Sequence, residues 1–398
     1  MRSPPLLDDL QPLAYHVAVV AHLSEFERDL WTWASSTQAE RDYVAQIRTS
    51  LLKECYRLDA EGHSDLANRC KRVAERLGIA ATVTLYQAHG ETAMNASLFY
   101  APGEAHVVFS GPVLDRLHGA ELDAVLGHEL AHYRLWEQQD RAHLVADRLM
   151  LAAANDPRAS ASHHQTARRL RLYTEIYADR GAYIGCGELH AAVAALVKMA
   201  TGLSQVSAAA YLRQADELVA ERGERVTDHP ETYIRARALR LWTERDDSLD
   251  AWLTQAIEGE TTMDALCLLG QRRVEVLTRQ VLAELLLPKW MQTSALLAHA
   301  KAFFADFQPA TRKNETLVAA VQDTGQLQDY WCYLLLDFAR ADRDLEDLPL
   351  QHALRFAERF PWRERFETLA AKELGLPKRQ IAKLAKEAPD ALEKADAQ

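Results

Sequence analysis

The sequence predicts an α+β protein that is mostly helical and contains a small antiparallel sheet. Three observations support this fold class. Apolar residues recur at three- and four-residue spacing along most of the chain, as in amphipathic helices. Residues 81–86 instead alternate and carry β-branched side chains, as a strand does. The chain has 398 residues, 48% apolar and 26% charged, so it can bury a large core in two or three domains.

The first 79 residues are predicted to form a helical N-terminal region. Helical periodicity is clearest over residues 25–33 and 38–58. Gly78 ends the helical periodicity, and a strand-like alternation of residues begins shortly after it. We therefore expect a domain boundary between residues 79 and 80.

The strand-like stretch that follows is short. Three strands are predicted, at residues 81–86, 94–100 and 105–110. Pro102 and Gly103 lie between the last two and indicate a turn. A small antiparallel sheet is the simplest arrangement for these strands.

Helical periodicity returns after Gly111. Helices are predicted over residues 121–138, where leucines and valines form an apolar stripe, and over about 166–183. The predicted divisions of the chain are a helical region at 1–79, a catalytic domain at 80–245, a helical C-terminal domain at 246–385 and a flexible tail at 386–398.

Charge and cysteine content exclude several classes of protein. The 46 basic and 57 acidic side chains give a net charge of −11, which argues against a nucleic-acid-coating role. The five cysteines are scattered without a C-x-x-C pair, which indicates reduced thiols and a cytoplasmic location. Neither a secretory signal nor an apolar run of about 18 residues is visible, so we expect no membrane span.

The residues that carry chemistry lie in the predicted helix 121–138. His128, Glu129 and His132 form the pattern H-E-x-x-H. Histidines four residues apart lie on the same helical face, so both imidazoles can bind one Zn²⁺ ion. Glu129 lies at the edge of this face, where it can take a proton from the water that the metal activates. A surface helix with two incidental histidines is the alternative interpretation.

A catalytic zinc site needs a third protein ligand. The metzincin pattern would place a histidine at position 138, which is Gln, so that class is excluded. The preferred ligand is Glu175 of the second predicted helix, as in gluzincins. Asp179 follows one turn later and can orient a ligand imidazole. His143 remains an alternative ligand, although it comes only 11 residues after His132 and would require a sharp break in the helix.

Several motifs in order resemble the HtpX-like and CAAX-prenyl-endopeptidase-type zinc metallopeptidases, metallopeptidase family forty-eight. The resemblance covers about residues 80–240. It rests on segments 94–100, 107–111, 114–117 and 121–132, on Glu175-x-x-Ala-Asp179, and on residues 228–235, which contain a His-Pro pair followed by an arginine.

The resemblance implies a gluzincin-like catalytic domain and further site residues. Asn95 matches the asparagine at the sheet edge, near which the substrate backbone would lie. His229 matches the histidine that stabilises the oxyanion of the reaction, and Arg235 matches the arginine that anchors this region. Many members of the family carry transmembrane helices, and the absence of such segments here puts membrane-protein substrates in doubt.

Together these observations predict a zinc metalloendopeptidase with one Zn²⁺ per chain and a peptide or protein substrate. A further hypothesis is that the helical flanks restrict access to the site or that the C-terminal domain binds a protein partner, so that the activity is latent. The alternative is a zinc-containing scaffold or adaptor whose peptidase site is vestigial. The intact Glu129 counts against it, because a structural metal has no use for an adjacent base.

Overall fold

Helices dominate the structure, and the residues described contain a single mixed sheet. The computed structural model describes residues 4–221, 232–259 and 261–397. The chain divides into two units, Met1–Gly259 and Glu260–Gln398. None of the described helices is both long enough and apolar enough to cross a membrane.

The first unit contains the sheet and the helices that surround it. Its strands are β1 (Cys55–Leu58), β2 (Thr82–Ala88), β3 (Asn95–Ala101) and β4 (Glu104–Ser110). Its helices are α1 (Ala14–Phe26), α2 (Arg28–Ala34), α3 (Thr37–Glu54), α4 (Ser64–Arg76), α5 (Val113–Arg116), α6 (Ala120–Glu137), α7 (Ala142–Asn155), α8 (Ala161–Cys186), α9 (Leu189–Thr201), α10 (Ala208–Glu221), α11 (Thr232–Glu244) and α12 (Leu249–Glu258).

The prediction of an antiparallel sheet is wrong, because the sheet is mixed. Its order is β1-β2-β4-β3, and β2 pairs with β4 in parallel. The β3–β4 hairpin turns at Gly103, whose φ of +73° is readily adopted by glycine. The hairpin places β4 inside the sheet and β3 at its edge. The burial of the two strands explains this order. Ala105, Val107 and Phe109 of β4 are fully buried, while β3 begins with the exposed Asn95.

Strand β1 replaces the end of a predicted helix. Periodicity predicted helix through residue 58, but α3 ends at Glu54 and the chain continues directly into a strand. Cys55 pairs with Ala88 and Leu58 with Leu85, so β1 covers the free edge of β2. Four residues are too few for periodicity to distinguish a last helical turn from a strand, and backbone pairing decides the outcome.

The two faces of the sheet contact different helices. On one face, Tyr86 and Val108 pack against Ile47 and Leu51 of α3. On the other face, Tyr100 of β3 contacts Tyr133 of α6, with ring centroids 5.3 Å apart. The tyrosine hydroxyl of residue 100 also donates a short hydrogen bond to Glu137. These contacts hold α6 alongside the edge strand β3.

The two helices predicted around the site are both present. The helix predicted at 121–138 is α6, Ala120–Glu137. The helix predicted at 166–183 is α8, which is longer and spans Ala161–Cys186. Its early start follows from Ser160, whose hydroxyl accepts a hydrogen bond from the backbone N–H of His163 and so caps the helix.

The second unit is helical throughout its described part. Its helices are α13 (Leu268–Leu285), α14 (Ser294–Phe303), α15 (Leu317–Gln322), α16 (Gln328–Arg340), α17 (Leu348–Ala357), α18 (Arg363–Leu374) and α19 (Lys378–Asp396). Their apolar faces share one core around Trp331 and Phe366. Residues 386–396 belong to α19 rather than to a separate tail, because Ala388 is buried and the Trp290 indole donates a hydrogen bond to Asp396.

Candidate active site

Glycines allow α6 and α8 to pack with their backbones almost in contact. A Cβ atom on Gly127 of α6 would lie 2.7 Å from the carbonyl oxygen of Gly181 on α8. A Cβ on Gly181 would overlap the Cβ of Ala131, and one on Gly185 would lie 2.9 Å from the Cα of Gly127. Residues without a side chain at these positions therefore set the short distance between the two helices.

Three metal-ligating side chains meet across this helix pair. His128 and His132 come from adjacent turns of α6, and Glu175 comes from α8. One donor atom from each lies within 4.8 Å of the other two. The Nε2 atoms of the histidines are 3.5 Å and 3.9 Å from the Glu175 carboxylate. Donors about 2.0–2.1 Å from a tetrahedral Zn²⁺ are themselves roughly 3.3 Å apart, so this donor set and its spacing fit zinc.

A second carboxylate fixes the orientation of His128. Its Nδ1 atom lies 3.1 Å from Oδ1 of Asp179, one turn beyond Glu175 on α8. A proton on Nδ1 is donated to this carboxylate, which leaves the Nε2 lone pair directed toward Glu175 and the metal position. Asp179 therefore selects the tautomer of His128 that can bind a metal through Nε2.

Arg235 of α11 contacts both carboxylates of α8. Its Nε and Nη2 atoms donate to the two oxygens of Asp179 at 2.8 Å and 2.7 Å. Its Nη1 atom lies 3.0 Å from Oε2 of Glu175. Burial raises the pKa values of both carboxyls, but Arg235 and His128 together outweigh burial and lower the pKa of Asp179, and that of Glu175 still more. Both side chains are therefore carboxylates at neutral pH.

The same carboxylates favour a positive charge at His128. Burial lowers the pKa of His128, but its hydrogen bonds with Asp179 and Glu175 outweigh burial and raise that pKa to about 10. In contrast, burial lowers the pKa of His132 to about 4. A metal requires neutral imidazoles, so a divalent cation would displace the proton of His128 and take over its interaction with Glu175.

Glu129 is buried beside the two histidines, with 6% of its surface exposed. Burial raises the pKa of its carboxyl to about 7, although the charge of His128 opposes this effect. A carboxyl whose pKa is near neutrality can both accept and return a proton at physiological pH. Glu129 is therefore a buried carboxyl that lines the cleft beside both histidines.

These groups line an open cleft of about 480 Å³. The edge strand β3 forms one wall of the cleft from Asn95 to Leu98, and α9 contributes apolar residues such as Leu196 and Met199. Asn95 is exposed at the start of β3. An edge strand beside a cleft offers unpaired backbone groups to an extended peptide.

The cleft brings together most of the residues that the sequence singled out. Its lining contains His128, Glu129, His132, Glu175, Asp179, Arg235 and Asn95. His229 lies outside the described residues. His143 is buried on α7 with its ring 6.1 Å from that of His16, and it is not part of the ligand group. Positive φ angles at Asp140 and Arg141 interrupt the helical backbone between α6 and α7, so His143 does not continue the helix that carries His132.

Sequence reasoning missed two features of the site. The glycine contacts were detectable as small residues spaced four apart, at Gly127 and Ala131 on α6 and at Gly181 and Gly185 on α8. Asp147 of α7 also lines the cleft. Nothing in the local sequence marks this residue, because its place depends on how α7 packs on α8.

Two histidines from one helix, a glutamate from a second helix and an adjacent buried carboxylate define a metallohydrolase type of site. Residues 61–243 match the model of peptidase family M48, as the motifs of this segment predicted. A match to this family implies metallopeptidase activity. Neither the comparison with curated proteins nor that with solved structures finds a match.

Proposed function

We propose that the chain is a zinc-dependent endopeptidase in which His128, His132 and Glu175 hold one zinc ion. The observation that carries the proposal is the convergence of three donor atoms, within 4.8 Å of one another, beside the buried carboxyl of Glu129. A structural zinc site is closed by four protein ligands, whereas three ligands in an open cleft leave a position for water and substrate.

Glu129 moves the proton in this mechanism. When bound, zinc acts as a Lewis acid toward the attacking water and the scissile carbonyl. Glu129 accepts a proton from the water as its oxygen attacks the carbonyl carbon. The protonated Glu129 then donates that proton to the amide nitrogen as the C–N bond breaks, so the products are a carboxyl group and an amine.

The remaining residues orient the ligands and the substrate. Asp179 holds the His128 ring, and Arg235 balances the charges of Asp179 and Glu175. An extended peptide would add to the edge strand β3, with Asn95 beside its backbone. His229 keeps its predicted role as the donor that stabilises the oxyanion. The cytoplasmic location, the latency and the partner of the C-terminal helices stay predictions.

The test is cleavage of casein by the zinc-loaded protein and by Glu129→Gln, which keeps the metal ligands and removes the base. We expect the substitution to slow cleavage at least roughly a hundredfold, the lower end of general-base effects, while zinc content stays unchanged. The matched control is Glu25→Gln, since Glu25 is exposed on α1 and does not line the cleft.

Each outcome separates the competing interpretations. Cleavage by the wild type and the control but not by Glu129→Gln supports the endopeptidase. Equal cleavage by all three proteins points to a contaminating protease and contradicts the role of Glu129. Zinc binding without any cleavage, by the full chain and also after limited proteolysis of its C-terminal helices, contradicts the proposal and favours the scaffold alternative.

A further inference from the structure

One end of the cleft contains a carboxylate that the proposed reaction does not use. Asp147 of α7 lines this end together with Trp136 of α6 and Thr174 of α8. Thr174 directly precedes the ligand Glu175, and the Trp136 ring lies 5.8 Å from that of the ligand His132. Asp147 therefore shares one cleft with the metal position.

The Asp147 carboxylate differs from the other acidic groups of the cleft in having no ion-pair partner. Glu175 and Asp179 both contact Arg235. In the part of the chain that the structure describes, no hydrogen bond or ion pair involves the side chain of Asp147. Burial raises the pKa of this carboxyl to about 6, with only a small opposing effect of Arg148. An unpaired and partly desolvated carboxylate is costly, and a cation from outside would remove that cost.

The cleft offers both apolar and charged surfaces to a bound peptide. Its apolar surface is formed by residues of α6, α8 and α9, namely Ala124, Val125, Ala182, Ala192, Ala195, Leu196 and Met199. At the Asp147 end, the indole of Trp136 provides a flat surface for the methylene stem of a long basic side chain. Arg171 also lines this end, and its side chain is exposed.

We propose that Asp147 is a specificity-determining residue that binds a lysine or arginine side chain of the peptide substrate. This proposal rests on the proposed function, because it takes the cleft as the peptide site. The net charge of −11 agrees with it, since an acidic protein attracts basic peptides over long range. A basic side chain in contact with Asp147 forms a charge-assisted hydrogen bond, which is stronger than a neutral one.

The test measures peptide binding rather than cleavage, so that it does not depend on activity. The zinc-loaded Glu129→Gln protein is titrated with capped nonapeptides of Gly, Ala and Leu that carry one lysine or one norleucine at each position in turn. We expect one position at which lysine binds roughly tenfold more tightly than norleucine, the size of a hydrogen bond to a charged group. Adding Asp147→Asn should reduce this ratio to about one.

The matched control is Asp115→Asn, which removes one negative charge from an exposed position on α5 outside the cleft. It should keep the lysine preference. The ratio of two peptides on the same protein is insensitive to a loss of folded material, so a partly unfolded variant does not mimic the result. Charge reversal by Asp147→Lys should instead favour glutamate over norleucine at the same position.

Two results would overturn the proposal. One is equal binding of lysine and norleucine peptides at every position. The other is a lysine preference that survives Asp147→Asn, which would assign the preference to another group. A clear lysine preference in a protein whose wild type cleaves nothing would support Asp147 and contradict the endopeptidase, so the two proposals fail separately.

Discussion

The metal site of the first unit is partly buried in its cleft and the core of the second unit is fully buried, and the two are built from opposite kinds of side chains. Around the site, Glu129 and Asp179 are 6% and 4% exposed, and Arg235 lies between charged partners. The core of the second unit is apolar, with Trp331 and Phe366 almost completely buried. Burying a charged side chain costs desolvation free energy. This protein buries such groups around its metal site, where the chemistry requires them.

The ion pairs of the two regions differ in the same way. Arg235 contacts Asp179 and Glu175 within the protein. Arg365 and Asp329 of the second unit form a pair of similar geometry, but both side chains are 53% exposed. Water compensates an exposed charge that loses its partner, and it cannot do so for a buried one. Removing an arginine should therefore have unequal effects in the two regions.

The largest expected effect is that of Arg235→Ala. Without zinc, this change leaves the buried Asp179 and the partly buried Glu175 to share His128 as their cationic partner. It should lower the free energy of unfolding of the first unit by about 3–5 kcal/mol. Arg365→Ala should lower stability by less than about 1 kcal/mol. Denaturant titrations followed by tryptophan fluorescence measure both. Equal losses for the two variants would show that burial does not distinguish these pairs.

A smaller effect is expected from closing the gap between the two site helices. Gly181→Ala introduces a methyl group that overlaps Ala131, so α6 and α8 must separate. We expect a loss of about 1–3 kcal/mol in stability and a weaker affinity for zinc, because Glu175 moves away from the histidines. The control is Gly62→Ala, where the new atom makes only ordinary contact with Asp59. Unchanged zinc affinity in Gly181→Ala would contradict the role given to the glycines.

The smallest effect should come from Asp179→Asn, which keeps the shape of the side chain and removes its charge. Because Asp179 orients His128 without contacting the metal position, we expect zinc affinity to fall roughly 10–100-fold. Competition with a chromogenic chelator measures this affinity, and Asp115→Asn controls for the change in net charge. A dissociation constant within about twofold of the wild type would remove Asp179 from the site.

The site was more predictable from the sequence than the sheet around it. The spacing of His128 and His132 fixes their common helical face, and a second helix was the natural source of Glu175 and Asp179. These are local consequences of helical periodicity, and the structure brings the four side chains together. The ion pairs of Arg235 with both carboxylates needed the tertiary structure, although the resemblance marked the residue.

The errors concern interactions between segments that are distant in sequence. Three strands in succession suggested an antiparallel sheet, whereas the greater burial of β4 places it between β2 and β3. Strand β1 forms only because β2 offers a free edge, and periodicity over four residues cannot detect that. The position of Asp147 in the cleft could not be predicted for the same reason, because it depends on the packing of α7.

The proposed zinc site depends on Glu175 of α8 as the third ligand beside the two histidines of α6. Isothermal titration with Zn²⁺ of the metal-depleted wild type, Glu175→Ala and Glu129→Gln is the decisive test of this role. We expect one zinc per chain for the wild type and for Glu129→Gln. For Glu175→Ala we expect an affinity more than roughly a hundredfold weaker, beyond the range of residues that only orient a ligand. Binding by Glu175→Ala as tight as that of the wild type would contradict the account.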